Sequence, residues 1–337
     1  MKTKTATAKQ LRVILVAAIQ AGIPVLVFGA PGCGKTTIAN QAYESFADYF
    51  TGGIFIWSTT NRNAIDLGGL YRVNADGKTV RCPIEEVSFN KPVFILIDEL
   101  GDCPKFEQSG YYRLVNEKEL GDKKLFAGSY VCAASNREDD GASARPISSA
   151  LKKRMQCVTL VADSKSVLEH GFKQAWNSTV LGFISCYPET VDDGFNADLL
   201  YSGCTPRSLE QLSKLENADL ISSNSDIAEL QIVGLIDHDL GSKYLSFRSL
   251  KTPSPQLVFN DPKTAPQLDG AMQIAYQAQI VSACQPTSLK AVLQYSLLLN
   301  RVDGCSLAFN AKCKFGKKEC EKLSVWTEVV LKFVELV

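Results

Sequence analysis

Short, continuous apolar runs alternate with amphipathic stretches through the first half of the chain. Four runs predict strands, and the run at residues 93–97 is typical of a central parallel strand that is covered on both faces. The four runs lie at residues 25–28, 53–57, 93–97 and 130–134. Apolar residues at helical spacing predict helices over residues 8–21, 35–50 and 105–116. Strands that alternate with helices are typical of a parallel α/β sheet, which binds ligands beyond the carboxyl ends of its strands.

The pattern changes near residue 161, beyond which apolar residues recur mainly at helical spacing. Four of the thirteen prolines fall within residues 253–266, which predicts a linker. Further helices are predicted at residues 268–281, 289–299 and 323–336. We therefore predict an α/β domain at 1–161, a helical domain at 162–250, and a linker with a C-terminal helical extension at 251–337.

Turn-forming residues separate the second and third predicted strands. Gly68, Gly69 and the N-A-D-G stretch at 74–77 predict a hairpin or an irregular insertion over residues 66–83.

The composition is that of a folded globular protein with more than one domain. The chain has 337 residues, 45% of them hydrophobic, and its 36 Lys and Arg balance 36 Asp and Glu. This balance argues against a protein that mainly coats nucleic acid or an acidic membrane, since those partners attract excess positive charge. No apolar run approaches the roughly 18 residues that span a bilayer, and the interrupted apolar stretch near the N-terminus does not fit a signal peptide.

The cysteines and histidines do not predict a metal site. The eleven cysteines are odd in number and widely spread, which predicts reduced thiols and a cytoplasmic location. His170 and His238 stand apart, and there is no C-x-x-C pair. Cys305, Cys313 and Cys320 are spaced too widely for a zinc knuckle.

A glycine-rich stretch follows the first apolar run and opens the next predicted helix. Residues 29–36 read G-A-P-G-C-G-K-T and fit the phosphate-binding pattern G-x-x-x-x-G-K-[ST]. The glycines let backbone N–H groups face phosphates at a helix N-terminus. Lys35 is predicted to reach the β- and γ-phosphates and the Thr36 hydroxyl to bind Mg²⁺. The predicted nucleotide-binding residues are Gly29, Pro31, Gly32, Cys33, Gly34, Lys35, Thr36 and Thr37.

An acidic pair, Asp98 and Glu99, follows the apolar run at residues 93–97. Nucleotide hydrolysis needs one carboxylate near the magnesium ion and another that polarises the attacking water. We assign Asp98 to Mg²⁺ and Glu99 to the water. Alone, such a pair is usually a solvated strand end, but beside the phosphate-binding loop it favours nucleotide hydrolysis.

These motifs resemble those of the AAA+ ATPases, and more narrowly of their MoxR-like branch. Asn136, after the fourth apolar run, is similar to sensor 1 of that family, which helps to position the attacking water. Residues 149–155, S-A-L-K-K-R-M, resemble the arginine-finger segment, although Met155 replaces the usual aromatic. The resemblance implies that Arg154 acts on the nucleotide of a neighbouring subunit.

Other stretches extend the resemblance. Residues 204–209, C-T-P-R-S-L, resemble the start of the sensor 2 helix, which implies a helical lid that places Arg207 over the nucleotide. The D-L-G-G stretch at 66–69 with D-G at 76–77, and S-N-R-E-D-D at 135–140, resemble the MoxR-like pattern more than that of clamp loaders or protein-unfolding proteases. A weaker likeness at 234–247 is to MoxR-like ATPases of bacterial and phage genomes.

The resemblance implies a P-loop AAA+ core with a helical lid, ATP and Mg²⁺ as cofactors, and a ring-shaped homo-oligomer, most often a hexamer. It also implies a partner with a von Willebrand factor A domain, and the host cytoplasm as the location of a phage-encoded member. Simpler interpretations stay open for single residues. Asn136 could cap its loop, Arg154 could be a surface cation near a helix end, and Arg137 or Arg145 could supply the trans arginine.

The leading functional interpretation is an ATP-hydrolysing ring that remodels a protein or a macromolecular complex. A DNA-directed AAA+ motor or loader is the alternative, but no DNA-binding module is recognisable, and the lysines at 312–322 fit a solvated helix face. A small-molecule P-loop kinase is disfavoured by Glu99 and the arginines. Residues 90–93, N-K-P-V, lack the aspartate of the guanine-reading N-K-x-D motif, which favours ATP over GTP.

Overall fold

A parallel six-stranded sheet forms the core of the first of two compact units, Met1–Ala162. The computed structural model describes residues 4–60, 66, 69–82, 89–120, 123–140, 145–192 and 204–333. The strands of this sheet are β1 (Thr5–Ala6), β2 (Val25–Phe28), β3 (Ile54–Ser58), β6 (Phe94–Asp98), β9 (Tyr130–Ser135) and β10 (Gln156–Leu160). They pair in the order β1-β10-β2-β9-β6-β3, and every pairing is parallel. The predicted α/β fold is confirmed.

Helices cover both faces of this sheet. They are α1 (Ala8–Ala21), α2 (Lys35–Glu44), α3 (Tyr111–Asn116) and α4 (Ser149–Lys152). Successive residues of β6 point to opposite faces, as the two-residue period of a strand requires. Ile95 and Ile97 lie in one apolar cluster with Leu114 of α3 and Leu151 of α4. On the other face, Phe94 and Leu96 pack with residues of α2, and β2 packs with residues of α1.

Two of the predicted helices are shorter than the pattern indicated. The helix predicted at 35–50 ends at Glu44, and the chain then turns so that Phe50 packs edge-on against Phe94 in the core. The helix predicted at 105–116 consists of a 3-10 turn, Glu107–Gly110, followed by α3. Glycine and serine are poor helix formers, which accounts for the tighter turn ahead of Tyr111.

The predicted hairpin is present, whereas four other strands were not predicted. Antiparallel strands β4 (Leu70–Val73) and β5 (Thr79–Cys82) pair around a turn in which the Asn74 side chain accepts hydrogen bonds from two backbone amides. The short pair β7 (Glu119–Leu120) and β8 (Lys123–Lys124) was not predicted. Nor were β1 and β10, because β1 has two residues and β10 begins with exposed polar positions rather than an apolar run.

The second compact unit is Asp163–Val337, and its described elements are all helices. They are α5 (Ser164–Lys173), α6 (Ser178–Cys186), α7 (Glu189–Asp192), α8 (Pro206–Asn217), α9 (Ser225–Ile236), α10 (His238–Arg248), α11 (Gln256–Asn260), α12 (Gly270–Ala283), α13 (Leu289–Leu298), α14 (Arg301–Phe315), α15 (Lys317–Glu321) and α16 (Val325–Lys332). The predicted linker contains α11, whose Val258 is fully buried. The predicted lid and C-terminal extension pack together through α6 and α12, and the boundary at residue 250 stays a prediction. Over the described part of the chain, no helix has both the length and the apolar character needed to cross a bilayer.

Helices α13 and α14 approach each other closely at Gly304. A Cβ atom there would collide with the backbone carbonyl of Ser296 and with the Phe333 ring. We therefore expect Gly304→Ala to lower the free energy of unfolding by about 1–3 kcal/mol, the usual cost of overpacking a core. The midpoint of guanidinium-induced unfolding measures it.

Gly234 provides the matched control, because it also lies inside a helix but has open space where a Cβ would be. Gly234→Ala should raise stability by about 0.5–1 kcal/mol through helix propensity alone. Equal shifts in the two variants would contradict the close approach.

Candidate functional site

The strand order brings the ends of three strands together at one edge of the sheet. β9 lies between β2 and β6, with Phe28 opposite Ser135 and Ile97 opposite Ala133. All three strands run in the same direction, so the segments that follow them leave the sheet side by side. The phosphate-binding loop follows β2, Asn136 follows β9, and the acidic pair lies at the end of β6.

Glycines shape the loop between β2 and α2. Gly32 and Gly34 have φ values of 75° and 98°, and Gly34 is the N-cap of α2. Only glycine adopts this left-handed region freely. A Cβ at Gly29 would lie 2.8 Å from Cys33 Sγ and 3.1 Å from the Leu160 carbonyl, so the loop closes tightly over its first residue. Such a loop directs backbone N–H groups towards an anion at the helix N-terminus.

The Lys35 ammonium group connects this loop to the end of β9. Its Nζ donates hydrogen bonds to the carbonyls of Gly29 and Ala30, at 2.8 and 2.9 Å, and to Asn136 Oδ1 at 2.8 Å. The structure thus brings together the predicted phosphate-binding lysine and the predicted sensor 1 asparagine. The Asn136 side chain therefore contacts the loop after β2.

Thr36 and Asp98 form the second connection across the sheet edge. The Thr36 hydroxyl donates to Asp98 Oδ2 at 2.8 Å. A hydroxyl and a carboxylate are the hard oxygen ligands that Mg²⁺ prefers, and Mg²⁺ usually takes its other ligands from water and phosphate. In the described residues no group of three or more His, Cys, Asp or Glu could hold a metal ion by itself. The oxygen pair therefore fits a magnesium ion that is shared with a nucleotide.

Glu99 is held in a fixed position next to this pair. Its backbone is left-handed, with φ 58° and ψ 34°. Its Oε2 accepts hydrogen bonds from Ser58 Oγ at 3.0 Å and Thr60 Oγ1 at 2.9 Å, and its carbonyl accepts one from Thr59 Oγ1 at 2.5 Å. These three residues were missed from the sequence. The available signal was the hydroxyl-rich S-T-T stretch at the end of β3, the neighbour of β6.

The candidate trans arginines differ in their surroundings. Arg154 is exposed beyond the end of α4, where its Nη1 donates to the Ala150 carbonyl at 2.8 Å. Arg137 forms an ion pair with the buried Asp140 at 2.7 Å. Arg145 is exposed, and its backbone N–H donates to the Gly101 carbonyl at 2.7 Å. Of the three side chains, that of Arg137 has the closest partner on its own chain with opposite charge.

Arg207 belongs to the second unit. It lies at the exposed N-terminal end of α8, between Thr205 and Ser208, which form a capping box. Its assignment as sensor 2 stays a prediction. Of the stretch at 66–69, residues 67–68 lie outside the described residues.

A parallel sheet that joins a phosphate-binding loop, a Thr–Asp pair and an adjacent glutamate at one edge defines a P-loop nucleotide hydrolase. Within that class, residues 25–157 match the family "ATPase family associated with various cellular activities (AAA)". The chain therefore contains an AAA ATPase domain, and the domain indicates an enzyme that hydrolyses ATP.

The solved structures that match the chain are distant in sequence. NtrX from Brucella abortus has 14% identity, covers 100% of this chain and 69% of its own, and has a TM-score of 0.40. A lysine-to-arginine variant of RuvB from Thermotoga maritima has 19% identity, coverages of 72% and 69%, and a TM-score of 0.38. AMPPCP-bound DnaA from Aquifex aeolicus has 13% identity, coverages of 95% and 90%, and a TM-score of 0.39.

No curated protein matches the chain.

Cys33 lies inside the phosphate-binding loop, where its reactivity depends on burial. The side chain is buried, and this burial raises the pKa of the thiol, although the nearby Lys35 opposes the shift. The thiolate is the reactive form of cysteine, so a raised pKa keeps Cys33 protonated and slow to react at neutral pH.

We expect alkylation of Cys33 by iodoacetamide to accelerate about tenfold per pH unit without levelling off below about pH 9. Time-resolved mass spectrometry of the peptide that contains Cys33 measures the rate. Cys157 is the control for access, because it is exposed and its pKa is also raised by desolvation. A plateau for Cys33 near neutral pH would contradict this assignment.

Proposed function

We propose that this chain is a MoxR-like AAA+ ATPase that uses ATP and Mg²⁺ to remodel a protein or a macromolecular complex in a ring-shaped oligomer, a hexamer. The observation that carries the proposal is the pairing of two features. One is the joined phosphate site, in which Lys35 contacts Asn136 and Thr36 contacts Asp98. The other is the exposed Arg154, which is available to a second subunit.

Each residue of the site has a distinct task in hydrolysis. Lys35 binds the β- and γ-phosphates, and Thr36 and Asp98 hold Mg²⁺. Magnesium, when bound, neutralises charge on the phosphates. Glu99, fixed by Ser58 and Thr60, orients the attacking water and accepts its proton. Asn136 contacts the water or the γ-phosphate. Arg207, as sensor 2 of the lid, contacts the nucleotide.

The trans arginine requires an oligomer. Charge that develops on the transferred phosphoryl group is stabilised by an arginine, which is worth about 10³ to 10⁵ in rate in GTPases. Arg154 fits the role of trans arginine better than Arg137 does, because the Arg137 guanidinium is already paired with the buried Asp140. A head-to-tail contact that repeats between identical subunits closes into a ring when the rotation permits. We propose that Arg154 of one subunit completes the site of the next.

Protein remodelling is favoured over DNA translocation by the balanced charge of the chain. A partner with a von Willebrand factor A domain follows from the MoxR-like resemblance, and co-purification from the source organism tests for it. ATPase activity that DNA stimulates in a salt-dependent manner would favour the alternative of a DNA-directed motor or loader.

Two substitutions separate the cis and trans roles. We expect Glu99→Gln to bind ATP but to lose hydrolysis by about 10²-fold or more, because the water is no longer deprotonated. Arg154→Ala should lose about 10³-fold while retaining ATP affinity. Phosphate release and fluorescent-nucleotide binding provide the two measurements.

Lys153→Ala is the matched control for Arg154, because Lys153 is an exposed cation at the adjacent position. It should hydrolyse ATP at nearly the wild-type rate. Near wild-type hydrolysis in either test variant would contradict the role proposed for that residue. A rate per subunit that stays constant down to concentrations at which the protein is a pure monomer would contradict the ring.

Removal of Mg²⁺ tests the Thr36–Asp98 pair. We expect EDTA to abolish hydrolysis and excess MgCl₂ to restore it. Asp98→Asn should raise the Mg²⁺ concentration for half-maximal rate about tenfold or more, because a charged ligand is lost. Asp102→Asn, a change in the turn after Glu99, should leave that concentration unchanged. An identical Mg²⁺ dependence in both variants would contradict the assignment of Asp98.

A further inference from the structure

Gln108 is a polar side chain with no exposed surface, in the 3-10 turn Glu107–Gly110. Buried polar groups persist in proteins when they are hydrogen-bonded. The Gln108 amide uses both of its ends: Nε2 donates to the carbonyls of Cys103 and Pro146, at 3.4 and 3.3 Å, and Oε1 accepts from the backbone N–H of Ser148 at 2.8 Å. Gln108 therefore connects two segments that are far apart in the sequence.

The first of these segments directly follows the proposed catalytic residue, Glu99, in the chain. Glu99 is followed directly by the 3-10 helix Leu100–Asp102 and then by Cys103, whose carbonyl accepts from Gln108. The second segment leads to the arginine. Ser148 is the N-cap of α4, its Oγ accepts from the Leu151 N–H at 3.3 Å, and Arg154 follows this helix.

Tyr112 makes a second set of contacts with the same segment. Its hydroxyl lies 3.0 Å from Ser148 Oγ, and its partly buried ring packs against the core cluster around Ile95 and Ile97. The Arg154 guanidinium lies over this ring, 5.2 Å from its centre. A cation over an aromatic face is attracted to it even at an exposed site. The ring thus limits the directions that an otherwise mobile side chain can take.

We propose that Gln108 and Tyr112 are positioning residues for Arg154: they fix the direction in which this arginine is presented to the neighbouring subunit. The inference rests on the proposed function, because it presumes that Arg154 acts in trans. Gln108 sets the start of α4 by binding Ser148 and Pro146, and Tyr112 holds the guanidinium at the other end of the segment.

A purely structural role for Gln108 and Tyr112 predicts a different outcome. The proposed shared site has two halves: the nucleotide half, with Glu99, on one subunit and the arginine half, with Arg154, on its neighbour. Loss of packing would lower the stability of the whole α/β unit and disturb both halves. Loss of positioning would instead disturb only the arginine half, because Glu99 keeps its own contacts with Ser58 and Thr60. Mixed oligomers distinguish the two halves.

The test uses Gln108→Leu, Tyr112→Leu and Tyr112→Phe in the full chain. We expect the first two to lose kcat about tenfold or more, as small displacements of a catalytic group do, with the KM for ATP within about twofold of wild type. Tyr112→Phe keeps the ring under Arg154 and should retain most of the rate. Tyr112 is only partly buried, so Tyr112→Leu keeps the test valid if Gln108→Leu fails to fold.

Mixing then assigns the defect to one half of the site. Glu99→Gln subunits have an intact arginine half, so equal mixing with Tyr112→Leu or Gln108→Leu should restore activity at about one quarter of the interfaces of a ring. Mixing either of these variants with Arg154→Ala should restore nothing, because both partners lack the same half. The control mixture of Glu99→Gln with Arg154→Ala should recover in the same way.

The outcomes separate the inference from the proposed function. A control mixture without recovery overturns the shared site, and the inference with it. Recovery in the control but none when Tyr112→Leu is mixed with Glu99→Gln overturns the inference alone, as does recovery when it is mixed with Arg154→Ala. Equal losses in Tyr112→Phe and Tyr112→Leu would also contradict the role of the ring.

Discussion

The Lys35 ammonium group contacts two of the loops at the sheet edge, and the remaining site geometry depends on this arrangement. It bonds to the loop carbonyls of Gly29 and Ala30 and to the side chain of Asn136. These contacts exist because β9 lies next to β2 in a parallel register. With β6 on the other side of β9, the carboxylate of Asp98 lies within reach of Thr36. The strand order therefore determines which side chains meet at the site. An exchange of two strands would separate Lys35 from Asn136 and Thr36 from Asp98.

The position of the glycine-rich loop and of the acidic pair at strand ends could be predicted from the sequence because each depends on short-range patterns. A glycine-rich loop between a strand and a helix specifies its own geometry, and the carboxylates at 98 and 99 follow directly from a buried strand. The contact between Lys35 and Asn136 was not predicted, because it joins residues 101 positions apart; the resemblance implied only that Asn136 helps to position the attacking water. The hydroxyls that bond to Glu99 were missed for the same reason: they belong to the last residue of β3 and the two residues after it, and only the pairing of β3 with β6 brings them close.

Errors in the fold prediction have local causes. Strand β10 has exposed polar positions at its start, so it lacked the apolar run that identified the other central strands. Helix α2 ends at Glu44, and the chain beyond it places Phe50 in the aromatic cluster with Phe94. Gln108 could not have been identified from the sequence, since a glutamine in a polar stretch is normally exposed. Its positioning role, as proposed above, depends on contacts with residues up to 40 positions away.

Glu99 occupies a backbone conformation that is unfavourable for its residue type. At φ 58°, a side chain with a Cβ costs about 1 kcal/mol relative to glycine, and asparagine would also tolerate the position better. Hydrogen bonds from Ser58, Thr59 and Thr60 hold the residue there despite this cost. In the mechanism we propose, this position gives up folding free energy for turnover, so selection for thermal stability alone would favour glycine or asparagine there and yield a more stable protein that no longer hydrolyses ATP.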